Sequence, residues 1–291
     1  MKLLDGKAIA QEIRNEIKYE IQKAKAIYNK VPGLAAILVG DNPASKVYVN
    51  MKSKACNEVG IYSVIERLPA DISEDDLLDV VDKYNVNDNI HGILVQLPLP
   101  LKINQDKILN KISIQKDVDG FNPYNVGNLM IGNDTFYPCT PYGIVELLMR
   151  YKINTNGKHV VVLGRSNIVG KPIANMLLQK KENANATVTI CHSGSSDLKK
   201  LTTQADILIA AIGKPEFIDA DMVKDGAVVI DVGINRVEDN SEKGYKIVGD
   251  VNFYSVSQKA SYITPVPGGV GPLTIAMLLK NTMKAFNKLM V

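Results

Sequence analysis

The chain is poor in the residues that build metal and disulfide sites. Its 291 residues include three cysteines and three histidines. Cys56, Cys139 and Cys191 are odd in number, far apart and never in a C-x-x-C pair. That spacing argues for a reducing compartment and against a zinc site. His91, His159 and His192 are equally scattered, so no metal is expected. Long apolar runs are missing too, since none approaches the roughly 18 residues that cross a bilayer. The N-terminus, Met1-Lys-Leu-Leu-Asp-Gly-Lys7, turns polar at once, unlike a signal peptide. No Pro/Gly/Ser tract points to disorder. Nor is one charge in excess: the formal net charge is +3, with Lys and Arg interspersed among Asp and Glu. Nucleic acid is therefore not indicated as a partner. The expectation is a cytoplasmic chain with no metal, membrane or nucleic-acid partner.

What is present is ordinary globular material, long enough for two cores. Helix and strand signals alternate, the pattern of an α/β protein with parallel sheets. Ile9, Ile13, Ile17 and Ile21 recur every fourth residue in a helix predicted over 7–29. A buried strand is predicted at 34–39, a helix from Pro43 toward Gly60, and another from an N-cap at Ser73 through Val81. The run at 90–97 reads as a strand stopped by Pro98 and Pro100, and 117–141 reads as loop before a helix over 142–151. Strands are then predicted at 159–163, 187–191, 206–211 and 227–232, with helices at about 171–182 and 196–204. A turn-rich stretch over 263–274 precedes a final helix. No internal repeat of 20–50 residues is found.

The most informative stretch is His159-Val-Val-Val-Leu-Gly-Arg-Ser-Asn-Ile-Val-Gly-Lys-Pro172. A continuous apolar run entering a glycine turn reads as the first strand of a parallel sheet. The turn and the helix start beyond it would aim backbone N–H groups at a pyrophosphate. Gly164 and Gly170 have a G-x-x-x-x-x-G spacing, so an ordinary strand–turn–helix stays open as the alternative. The cofactor type follows from the second strand, Thr187-Val-Thr-Ile-Cys191, which is followed by His192-Ser193-Gly194 with no acid. NAD sites carry Asp or Glu there to hold the ribose. Arg165 and Ser166 add a cation and a hydroxyl suited to a 2′-phosphate, so NADP is favoured.

Other residues offer chemistry. Tyr48 and Lys52 stand four apart on a predicted helix and share a face. A phenol beside an amine can handle protons, while a plain surface helix is the bland alternative. Gln96 ends a strand at the carboxyl edge of a sheet, where ligands bind in open α/β folds, or it simply caps a loop. In Lys116-Asp-Val-Asp-Gly120 one carboxylate suits an Asx turn. The other could accept two parallel N–H bonds from a heterocycle edge.

Together these segments resemble one family, the bifunctional methylenetetrahydrofolate dehydrogenase/methenyltetrahydrofolate cyclohydrolases of the FolD type. The resemblance rests on Pro43-Ala-Ser-Lys-Val-Tyr-Val-Asn-Met-Lys-Ser-Lys54, Gly92-Ile-Leu-Val-Gln-Leu-Pro-Leu-Pro100, Lys116-Asp-Val-Asp-Gly120 and Pro138-Cys-Thr-Pro-Tyr-Gly143. It continues in Gly164-Arg-Ser-Asn-Ile-Val-Gly-Lys-Pro172, Cys191-His-Ser193, Asp231-Val-Gly-Ile-Asn235 and Ile263-Thr-Pro-Val-Pro-Gly-Gly-Val-Gly-Pro272. Each is weak alone, and their fixed order is what makes them specific.

The resemblance implies Lys52 as the catalytic lysine, with Tyr48 and Gln96 orienting it. It implies Asp119 as the carboxylate on the pterin edge, and Pro267, Gly268 and Gly269 on the folate side. Arg165, Ser166 and Ser193 would surround the NADP 2′-phosphate, and Gly233 and Ile234 the nicotinamide. Methylenetetrahydrofolate would be oxidised to the methenyl cation and then hydrolysed to 10-formyltetrahydrofolate in the same cleft. The expected architecture is two α/β domains. A catalytic domain spans roughly 1–140 and is rejoined by a C-terminal helix over 271–291, and a Rossmann-type NADP domain spans 141–270. A homodimer is implied by the resemblance alone. Short-chain dehydrogenases also carry Tyr-x-x-x-Lys, but there the nucleotide loop comes first, the reverse of the order here. A non-catalytic NADP- or folate-binding regulator remains the rival of another class.

Overall fold

The computed structural model describes residues 1–240 and 244–290. Val291, the last residue of the predicted returning segment, lies outside the described residues. The chain divides into two compact units, Gln11–Cys139 with Ile275–Val291, and Met1–Ala10 with Thr140–Thr274. The first ten residues thus join the second unit, whereas the sequence reading kept 1–140 together.

Strand β1 (Lys2–Leu3) leads into α1 (Gly6–Tyr28), where Ile9, Ile13, Ile17 and Ile21 are all buried. The N-terminal unit then runs β2 (Gly33–Val39), α2 (Pro43–Val59), β3 (Tyr62–Leu68), α3 (Glu74–Asn85), β4 (Gly92–Val95), α4 (Gln105–Lys111) and α5 (Pro123–Ile131). The three strands form a parallel sheet in the order β3-β2-β4. β2 is the middle strand and is buried at every position, which is why its sequence is apolar without alternation. Helix α2 starts where Asn42 Oδ1 accepts from Ser45 N–H, with Pro43 at the first turn, and stops at Gly60 (φ 94°). Ile37, Val39, Leu77, Val81, Ile93, Val95 and Ile108 pack in one core between sheet and helices. Truncating one such residue to alanine costs about 2–5 kcal/mol. β3, α4 and α5 are absent from the sequence expectations. β3 reads Tyr-Ser-Val-Ile-Glu-Arg-Leu, an edge strand with mixed polarity that hides its period.

The second unit contains α6 (Cys139–Arg150), β5 (His159–Leu163), α7 (Gly170–Leu178), β6 (Thr187–Cys191), α8 (Leu198–Thr202), β7 (Ile207–Ala210), β8 (Val228–Asp231), β9 (Asn235–Glu238), β10 (Tyr245–Val248), α9 (Phe253–Val256) and β11 (Tyr262–Ile263). Six strands make a fully parallel sheet in the order β1-β11-β8-β7-β5-β6. β9 and β10 pair apart as an antiparallel ribbon. Val161, Leu163, Leu208, Val229, Val251 and Ile263 fill the core on one face of the large sheet. The last helix, α10 (Val270–Met290), belongs to the N-terminal unit from Ile275 onward. There Phe286 meets His91 edge-on at 4.8 Å, and Asn281 donates to Val118 O (2.8 Å) and Tyr137 O (2.9 Å).

Candidate active site

In the N-terminal unit, α2 buries Ser45, Val49, Cys56 and Val59 against the sheet. Lys52 falls between Val49 and Cys56 on that same three-four stripe, a position where an apolar side chain would otherwise sit. Its Nζ donates to Gln96 Oε1 at 3.0 Å. Gln96 sits one residue past β4, where its N–H continues the ladder to Ile37 O. Its Nε2 donates to Leu97 O at 2.8 Å, which turns Oε1 toward Lys52. Tyr48 lies one turn earlier, half-buried, and burial raises its phenol pKa above the usual value. Among the described residues, no hydrogen bond joins Tyr48 to Lys52.

The two carboxylates of 116–120 have separate environments. The segment lies along β4, with Ile93 N–H donating to Lys116 O and a parallel bridge from Ile93 to Asp117. Asp117 is buried and accepts from Asn122 N (2.8 Å), Asn125 Nδ2 (2.8 Å) and Phe121 N (3.3 Å), so it organises the start of α5. Asp119 points elsewhere. Burial pushes its carboxyl up to about 6, the Lys52 charge pulls it down, and Asp117 pushes it up again. Cys139 Sγ donates to Asp119 Oδ1 at 3.6 Å, and Asn281 braces Cys139 in turn at 3.8 Å. Nothing in the local sequence pattern points to Cys139 as a neighbour of this group. Asn281 had a signal, a lone amide in the apolar stripe of a helix.

In the second unit the chain leaves β5 for β6 on one side and then crosses to β7 on the other. The strand order therefore reverses at β5, which opens a crevice outside the carboxyl ends of β5 and β7. Gly164 turns there at φ 116°, and a Cβ on it would fall 2.2 Å from Ala211 O. A Cβ on Gly170 would fall 2.1 Å from Gly164 O, so the turn is too tight for any side chain at either position. Gly164 N–H donates to Cys191 O at 2.8 Å, so the loops after β5 and β6 begin side by side. Arg165 and Ser166 follow one strand and His192 and Ser193 the other, with Arg165, Ser166 and Ser193 all exposed.

The start of α7 has its own hydrogen bonds. Val169 N and Gly170 N donate to Ser166 Oγ at 3.1 and 3.3 Å, Lys171 N donates to Ser166 O at 3.1 Å, and Pro172 has no N–H. Ser166 therefore caps the start of α7. With bare backbone at the crevice, an exposed cation and no acid after β6, these residues fit a dinucleotide bearing a 2′-phosphate. Elsewhere in this unit Gly233 is buried and Ile234 is 49% exposed beyond β8. Pro267, Gly268 and Gly269 precede α10, and Gly268 O accepts from Lys7 N–H at 2.9 Å.

A lysine held by a glutamine at the edge of one parallel sheet, in a chain whose second unit is of nucleotide type, defines a two-unit dinucleotide-dependent enzyme. Two family models match the chain: tetrahydrofolate dehydrogenase/cyclohydrolase, catalytic domain, over residues 4–119, and its NAD(P)-binding domain over 138–290. The bifunctional protein FolD of Moorella thermoacetica is 60% identical over 284 residues, covering 98% of both chains. The crystal structure of the FolD methylenetetrahydrofolate dehydrogenase/cyclohydrolase from Campylobacter jejuni is 52% identical and superposes with a TM-score of 0.94, covering 99% of each chain. The Trypanosoma brucei enzyme, solved with NADP cofactor and inhibitor, is 40% identical with a TM-score of 0.93, covering 98% of this chain and 96% of that one. The chain belongs to the tetrahydrofolate dehydrogenase/cyclohydrolase family.

Proposed function

We propose that this chain oxidises 5,10-methylenetetrahydrofolate to 5,10-methenyltetrahydrofolate with NADP, and then hydrolyses the methenyl cation to 10-formyltetrahydrofolate. The observation that carries the reading is the Lys52–Gln96 pair at 3.0 Å with Asp119 close enough for its carboxyl to feel the lysine charge. When bound, NADP supplies the hydride acceptor. Arg165 and Ser193 hold the 2′-phosphate, and Gly233 and Ile234 border the nicotinamide. Asp119 accepts paired N–H bonds from the amino-pyrimidine edge of the pterin, which orients the one-carbon bridge. Tyr48, Pro267, Gly268 and Gly269 complete the folate contacts.

Hydrolysis needs proton movement as well as position. Water adds to the cationic carbon and gives up both of its protons: one passes to the ring nitrogen whose C–N bond breaks, and the other is released to solvent as the formyl C=O forms. Lys52 Nζ relays these protons, and Gln96 holds it in place. The unit bearing Lys52 is assigned the folate chemistry and the unit bearing Gly164 the cofactor. The chain works as a homodimer in the cytoplasm. No described helix is long and apolar enough to cross a membrane.

The test is turnover of 5,10-methylenetetrahydrofolate with NADP and with NAD, following reduced nicotinamide and the methenyl intermediate together. Reduction with little methenyl build-up, faster with NADP, is expected. Methenyl that disappears no faster than spontaneously would remove the cyclohydrolase half. No reduction with either cofactor would favour a binding protein.

A further inference from the structure

Two buried carboxylates lie outside the chemistry above. Asp231 ends β8 and is 3% exposed, and Asp250 is fully buried. Neither has a Lys or Arg ion partner among the described residues. Both are satisfied by N–H groups instead. Asp231 accepts from Gly233 N and Asp250 N at 2.9 Å and from Val251 N at 3.0 Å. Asp250 Oδ2 accepts from Ile212 N (2.7 Å) and Gly213 N (3.0 Å), and its Oδ1 accepts from Asn235 Nδ2 (2.9 Å). The backbone closes around them. A Cβ on Gly249 would fall 1.7 Å from Asp231 Oδ2, and one on Gly233 would fall 2.4 Å from Asp250 Oδ1.

The donors to Asp250 come from two loops, 211–213 after β7 and 232–235 after β8; Gly233 of the second loop also donates to Asp231, whose other donors are the amides of Asp250 and Val251. Both loops leave the carboxyl edge of the parallel sheet, the edge on which ligands sit in such folds. β6 lies on one side of β5, and β7 and β8 lie on the other. A dinucleotide whose 2′-phosphate end rests on the loops after β5 and β6 must carry its other end across β7 and β8. The carboxylates stand under that path. Two desolvated acids without counter-ions are costly to retain for stability alone.

We propose that Asp250, seated on Asp231, is a positioning residue for the dehydrogenase step, holding 212–213 and 233–235 together as the surface that receives the nicotinamide end of the cofactor. The inference rests on the dehydrogenase reading above. It predicts that losing this clamp damages cofactor placement and leaves the hydrolysis of methenyltetrahydrofolate alone, because that step needs no cofactor.

The sharp variant is Asp250→Asn. Both carboxyl oxygens accept, so an amide must turn its NH2 toward one set of donors. Asn235→Asp restores the pairing in the double variant, since the amide now at position 250 can donate to the new carboxylate and still accept from Ile212 and Gly213. Asp250→Asn should weaken NADP binding and slow hydride transfer by about tenfold to a hundredfold, the loss expected from a buried donor left unpaired. Hydrolysis of methenyltetrahydrofolate without NADP should be unchanged. In the cofactor-free protein the Ile212 and Gly213 amides should exchange hydrogen faster, and the double variant should recover affinity and exchange protection. Asn235→Ala, which leaves both acids in place, should show a smaller loss of the same selective kind and serves if Asp250→Asn does not fold.

Proportional loss of both activities would overturn the proposal, as would unchanged NADP affinity or a double variant no better than the single one. A wild-type chain that binds NADP without turning over would sink the functional reading, while the affinity and exchange measurements would still decide this one.

Discussion

Lys52→Met separates the roles assigned to the lysine more cleanly than any other change. Methionine keeps the length of the side chain on the buried stripe of α2 and removes the charge and the proton. The first consequence is loss of the bond to Gln96 Oε1 at 3.0 Å and of any proton relay. Positioned acid–base groups contribute about 10²- to 10⁴-fold, so methenyl hydrolysis should fall by that factor. Hydride transfer depends on position more than on protons and should fall far less. The second consequence reaches Asp119. Burial holds its carboxyl at about 6 against the downward pull of Lys52, so removing the cation moves it higher. The ionised carboxylate is the form that accepts two pterin N–H bonds. Folate affinity should therefore fall as pH drops through this pKa, with a wild-type midpoint near 6 and a higher midpoint in the variant. Loss of the methenyl absorbance gives the rate, and folate binding titrated between about pH 5 and 8 gives the midpoint. Hydrolysis within tenfold of wild type, or a midpoint that stays put or moves down, would refute the assignment.

Other outcomes follow from the same structure. Arg165→Ala should weaken NADP by about tenfold to a hundredfold, the worth of charge-assisted hydrogen bonds, and leave NAD nearly untouched. Equal losses in the two binding titrations would mean that Arg165 does not read the 2′-phosphate. His91 is buried against Phe286 and accepts from Gly33 N at 3.0 Å, and burial with the nearby Lys116 charge lowers its pKa to about 4. The unfolded chain takes up that proton near pH 6.5, so its contribution is lost as pH falls from about 6.5 to 4, about 3 kcal/mol in all. Asp119 and Asp231, both pushed up to about 6, act in the opposite sense over the same range. The measurement is therefore the difference between wild type and His91→Asn in urea unfolding at each pH. A difference that stays flat with pH would contradict this account. Asn281→Ala strips a donor from the buried Val118 carbonyl and the part-buried Tyr137 carbonyl and should cost about 1–3 kcal/mol in unfolding, together with a higher KM for folate through Cys139 and Asp119. A stable variant with normal KM would show that this brace does not matter.

The sequence by itself determined the parts that rest on local pattern. Apolar runs such as Gly33–Val39 and His159–Leu163, short, bounded by turn residues and alternating with helical patterns, read as buried strands, so parallel sheets and two α/β units follow from them. The glycine turn at Gly164, the missing acid after β6 and the order of the motifs point to the cofactor and to the family without coordinates. The tertiary structure alone decided which partners the polar groups take. It paired β1 with β11, a union of residues 2–3 with 262–263 that two-residue segments are too short to encode. It gave Asp117 to the start of α5 and left Asp119 for other work, although the two stand in the same tetrapeptide. It turned Ser166 back onto α7, and it set Asp231 and Asp250 together under two loops. Periodicity records which side of an element is buried. It does not record which distant N–H or carbonyl a buried polar atom will meet, because that depends on backbone brought together from separate parts of the chain.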